Sequence, residues 1–114
     1  MKKYCLALDL KEDSTLIKEY VEWHENVWPE IVESITNSGI IAMSIYRFNN
    51  RLFMIMETED SFSFEKKAIM DAGNDKVQEW EEIMWKYQQQ IPGAKVGEKW
   101  VLMESIFSLG GPVK

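Results

Sequence analysis

The sequence holds one cysteine, Cys5, and one histidine, His24. A lone cysteine excludes an intramolecular disulfide. One cysteine beside one histidine also argues against a structural zinc site, so no metal is expected. Basic clusters are missing as well. The formal net charge is −6 and no stretch concentrates Lys and Arg, which argues against nucleic acid and against an anionic membrane surface as partners. The chain has no long hydrophobic run either: Asp9 interrupts the apolar stretch Tyr4–Leu10. That stretch is too short for a membrane span or a signal peptide, and a cytoplasmic location is the expectation. Phosphate-binding glycine loops, nucleophile elbows and dinucleotide fingerprints are all missing.

What the chain does have is aromatic rings: five Trp, five Phe and four Tyr in 114 residues. The length suits one domain with one core, expected over 1–109, with 110–114 as a frayed tail after Gly110-Gly111-Pro112. Rings on this scale either fill that core or form the surfaces on which carbohydrates stack. A small neutral ligand is compatible with the acidic charge.

Alternation over Tyr4–Leu10 predicts a first strand. Ser14 is the expected N-cap of the following helix, on which Ile17, Tyr20, His24, Val27 and Ile31 recur at helical spacing. Pro29 predicts a kink or restart near Trp28, with the second piece ending near Gly39. Ile40–Phe48 and Leu52–Thr58 read as a hairpin across Asn49-Asn50. Asp60 or Ser61 is expected to cap a short helix to about Ala72. Asn74 should cap a longer one carrying Val77, Trp80, Met84, Tyr87 and Ile91, ended by Pro92-Gly93. Lys99–Phe107 is the expected last strand. The order β-α-β-β-α-α-β is that of an α+β, ferredoxin-like antiparallel sheet with one helix split or added.

In such a fold helices cover one sheet face, and the other face should turn polar. Here the alternation is weak: Leu52, Met54 and Met56 oppose Phe53 and Ile55, while Trp100, Leu102 and Ile106 oppose Val101, Met103 and Phe107. Leaving such a face wet forfeits several kcal/mol, at roughly 25 cal/mol per Å². A homodimer joined through this open face is expected.

His24 lies within the apolar helical stripe, one turn after Tyr20. The plain reading is a core histidine bonded to that tyrosine or to backbone. The functional reading is proton exchange, for which imidazole is suited at neutral pH. Trp23, Trp28, Trp80, Trp85 and Trp100 could each be packing, with Trp80 and Trp28 the two placed nearest a pocket. Among the carboxylates, Glu30, Glu57, Glu59 and Glu104 are candidates, the second and fourth because they fall in expected strands.

The segment Tyr20–Ile31, YVEWHENVWPEI, resembles the Y-x3-H-x3-WPE motif of the L-rhamnose mutarotase family. The resemblance extends over nearly the whole chain, through Gly39, Ile45-Tyr46, the hairpin to Glu57 and the Trp-bearing helix before Pro92. It implies a dimeric ferredoxin-like α/β barrel that interconverts the α and β anomers of a 6-deoxy-L-sugar without a cofactor. His24 then matches the proton donor and Tyr20 a substrate-binding tyrosine. Trp28 belongs to the motif, and Trp80 matches the first of two adjacent sugar-contacting tryptophans. Met43 stands where the enteric rhamnose enzymes carry a second sugar-contacting tyrosine, and Glu81 where they carry the second tryptophan. L-fucose therefore competes with L-rhamnose as substrate. Two alternatives stay open: a small monooxygenase, cofactor-free or haem-linked, on the same barrel, and a non-catalytic sugar-binding module.

Overall fold

The computed structural model describes residues 1–110; apart from Gly110, the expected tail at 110–114 lies outside the described residues. The element order is β1 (Lys2–Leu10), α1 (Ser14–Trp23), α2 (Pro29–Asn37), β2 (Ile40–Phe48), β3 (Arg51–Thr58), α3 (Phe64–Ala72), α4 (Asp75–Trp85), β4 (Gln88–Gln89) and β5 (Val101–Leu102). All strand pairs are antiparallel. The strand order is β2-β3-β1-β4, with β5 also paired to β1. This is the ferredoxin-like α+β arrangement. No helix among the described residues is long and apolar enough to cross a membrane.

Register decides which side chains meet the helices. Leu6 pairs with Met54 and Leu8 with Leu52 across β1 and β3, while Ile45 pairs with Met54 and Met43 with Met56 across β2 and β3. Side chains directly opposite share a face, so these residues form the inner, helix-covered surface. Leu8, Leu10 and Leu52 are fully buried there, each contributing about 1.5–3 kcal/mol of apolar transfer. On the outer face Asp9, which breaks the apolar run of β1, is buried and held by two bonds from Arg51, at 2.8 and 3.1 Å.

Several boundaries differ from the sequence expectation, each for a local reason. Asp13, not Ser14, caps α1: its carboxylate accepts from the backbone N–H groups of Thr15 and Leu16 at 2.9 and 3.0 Å. Replacing Asp13 with Ala is expected to cost about 1 kcal/mol in a denaturant titration, and replacing Ser14 with Ala much less. Ser63, not Asp60 or Ser61, caps α3, accepting from Lys66 N–H. Asn74 caps α4 as expected. That helix stops at Trp85, so Ile91 lies beyond it. The backbone from Tyr87 to Gln89 joins the sheet instead, with Gln88 and Gln89 opposite Leu10 and Asp9. The last strand is shorter than Lys99–Phe107: only Val101–Leu102 pairs, and Ile106 and Phe107 stand exposed. Pro29 takes the first helical position of α2, so the restart is complete and the two helices are separate.

Candidate active site

His24 is the residue at which α1 ends. Its backbone N–H donates to Val21 O at 3.1 Å, so it caps the helix rather than sitting within a continuous stripe. The ring is half-buried, and Nδ1 lies 2.8 Å from the carbonyl oxygen of Tyr20, one turn earlier. A carbonyl can only accept, so Nδ1 carries the hydrogen. Nε2 is then the nitrogen left for a ligand, as donor when the ring is protonated and as acceptor when it is neutral. The Tyr20 ring lies 4.6 Å from the imidazole, centroid to centroid.

Both residues line a cavity of about 780 Å³ between the inner sheet face and helices α1, α2 and α4. That volume falls within the roughly 300–1,000 Å³ of small-molecule sites. Leu6, Met43, Met54 and Met56 form its floor, and Trp80 and Trp100 stand on its walls. Trp80 is buried, with its centroid 5.9 Å from the imidazole. Trp28 is not among the lining residues: it packs edge-on against Trp80 at 5.2 Å, with Lys76 Nζ over its ring. Trp23 meets Trp80 at 5.8 Å and Trp28 at 6.3 Å. Trp85 is partly exposed under Lys99.

Polar groups converge on the same space. Glu81, half-buried, lines it beside Trp80, as do Ser34 and Lys99. Asp71 reaches it from α3, bonded to Lys67 through one oxygen while the other, Oδ1, meets no hydrogen-bond partner among the described residues. The four carboxylates singled out from sequence stand elsewhere. Glu57 pairs with Lys3 on the outer face, Glu30 and Glu59 are exposed, and Glu104 lies beyond the paired part of β5. Among the described residues no three His, Cys, Asp or Glu side chains come together as a metal site.

Several polar lining residues escaped sequence reasoning: Ser34, Lys67, Asp71, Lys99 and Gln88. Gln88, buried, donates from Nε2 to the Tyr20 hydroxyl oxygen at 3.2 Å. The expected helix through Ile91 hid it, since nothing marks one glutamine in the run Gln88–Gln90 as facing a cavity. Burial pushes the Tyr20 phenol above its ordinary range, and the bond from Gln88 opposes this in smaller part. Tyr20 is therefore a neutral phenol through the physiological range.

A family model described as L-rhamnose mutarotase matches residues 3–109. The chain belongs to the L-rhamnose mutarotase family. Its class of activity is that of a sugar mutarotase, an isomerase. Among the family's relatives of this chain is an L-fucose mutarotase from Xanthomonas campestris pv. campestris, 40% identical, the match covering 99% of this chain and 92% of the relative. The crystal structure of an L-rhamnose mutarotase from Formosa agariphila superposes with a TM-score of 0.71 at 20% identity, covering 96% of this chain and 99% of that one. A dimeric ferredoxin-like protein from an uncultured marine organism superposes at 0.56 and 14% identity, over 93% and 90% of the two chains. At such identities these two structures speak to the fold. The fold they share with this chain is the ferredoxin-like one.

Proposed function

We propose that the chain exchanges the anomers of a 6-deoxy-L-sugar, with L-fucose the preferred substrate and L-rhamnose a weaker one, and that His24 carries the proton. The observation behind this is the His24 ring, its Nδ1 fixed by the Tyr20 carbonyl, on the wall of an aromatic cavity. The similarity to an L-fucose mutarotase favours the first sugar. Met43 and Glu81 favour it too, since they stand where the rhamnose-type motif would place a tyrosine and a tryptophan.

In the proposed reaction the bond between the anomeric carbon and the ring oxygen breaks. The anomeric hydroxyl loses its proton and becomes the aldehyde carbonyl, while the ring oxygen gains a proton. Protonated His24 supplies the latter from Nε2 and recovers it when the ring recloses on the other carbonyl face. Water takes the hydroxyl proton. Trp80 and Trp100 offer faces to the sugar's C–H surfaces, and Glu81 offers an acceptor for a hydroxyl. Saturation-transfer NMR on L-fucose, L-rhamnose, D-galactose and D-ribose tests the assignment. Exchange between anomeric signals is expected to be fastest for L-fucose, and saturable binding of all four with no added exchange would make the chain a binding module instead.

The working unit we propose is a homodimer joined through the outer sheet face. Tyr46 and Phe48 stand on that face at 59% and 86% exposure, beside half-buried Cys5, Phe53 and Ile55. Patches of this kind mark interfaces, and the marine neighbour is a dimer. Phe48→Arg is expected to shift sedimentation from dimer to monomer; a wild-type monomer would contradict the proposal. A cytoplasmic setting completes it, in keeping with a single free thiol.

A further inference from the structure

The segment Tyr87–Gln88 is tied down by more bonds than a two-residue turn needs. The Lys11 N–H donates to Tyr87 O at 2.9 Å, and Gln88 pairs with Leu10 across β1. The Tyr87 hydroxyl donates to Glu19 at 3.0 Å and accepts from Trp23 Nε1 at 3.1 Å, both on α1. Gln88 therefore leaves a fixed backbone, and its buried amide donates to the Tyr20 oxygen. A phenol has one hydrogen. With an amide N–H already directed at its oxygen, that hydrogen must point elsewhere, and Tyr20 lines the cavity.

We infer that Gln88 is a positioning residue that makes Tyr20 a one-way hydrogen-bond donor to an acceptor oxygen of the bound sugar. The inference rests on the mutarotase reading and sharpens it. A phenol aimed outward as donor holds the sugar and does not collect the proton of the anomeric hydroxyl. The pair also sets specificity: it favours a ligand that presents a lone pair to Tyr20 and disfavours one that presents only a hydrogen there. The burial that keeps Tyr20 neutral acts in the same direction.

The test is a double-mutant cycle on the full chain, read by anomer exchange and by NMR titration of isotope-labelled tyrosine rings. Gln88→Leu, or Gln88→Met where the first folds poorly, is expected to raise KM for L-fucose about 3–10-fold with a smaller change in kcat. Added to Tyr20→Phe, the same substitution should have no further effect, because its target is gone. Gln88→Glu, whose carboxylate accepts the Tyr20 hydrogen and turns it inward, should lose more than Gln88→Leu does. In the titration, Gln88→Leu should move the Tyr20 phenol to higher pH. An equal Gln88→Leu effect with and without the Tyr20 hydroxyl would overturn the inference, and so would an unmoved Tyr20 titration. The titration needs no substrate turnover, so it separates this inference from the mutarotase reading, which fails only if the wild-type chain exchanges no sugar.

Discussion

His24→Asn lowers the rate of anomer exchange by about 10²–10⁴-fold, the contribution of a positioned acid or base, and leaves the fold in place. The stability half of that expectation comes from where the residue sits. His24 caps the end of α1 through its backbone, which asparagine supplies equally well. Its ring is half-buried, so truncation opens no large cavity in the core. The activity half comes from the Nδ1 bond. Asparagine can still reach the Tyr20 carbonyl but presents no second nitrogen that both gives and takes a proton. Thermal melts and exchange NMR on the same samples separate the two. A variant with wild-type exchange would remove His24 from the chemistry, and a variant that unfolds would make it a structural residue.

Trp80→Ala has the largest effect on stability, with an expected loss of about 3–5 kcal/mol and a fall in Tm of roughly 10–20 °C. Trp80 is 8% exposed and meets three other rings, those of Trp23, Trp28 and His24, within 6 Å. Removing the indole leaves Trp23 and Trp28 facing a void and deletes one wall of the cavity. Trp80→Phe keeps an aromatic face and should lose less on both counts. KM for L-fucose should rise in both variants, more in the alanine one. A near-neutral Trp80→Ala in urea titration would mean that the ring cluster relaxes around the gap and contributes little.

How much of this was legible beforehand follows from which interactions are local. The hairpin at Asn49-Asn50, the break at Pro29, the stop at Gly39 and the Asn74 cap are encoded within a few residues, and each was readable. Tyr20 and His24, one helical turn apart, could be placed side by side from spacing alone. Residues brought together by long-range pairing could not. Gln88 reaches Tyr20 because the chain leaves α4 at Trp85 and, three residues later, joins β1 at Leu10; the helical spacing of Met84, Tyr87 and Ile91 pointed the other way. Trp28 shows the reverse case. Sequence proximity to His24 suggested a wall of the pocket, whereas after the helix restarts at Pro29 its ring packs edge-on against Trp80 and lies outside the lining. The caps stand at Asp13, one position before Ser14, and at Ser63, two positions after Ser61 and three after Asp60, because several capping residue types stand close together and only backbone geometry selects among them.

Polarimetry of freshly dissolved α-L-fucose addresses the central claim most directly. The rotation drifts to its equilibrium value in buffer alone, and the account predicts that the drift accelerates in proportion to the amount of wild-type chain added, with the final rotation unchanged. A drift that keeps its buffer rate at every protein concentration, for L-fucose and L-rhamnose alike, would contradict it.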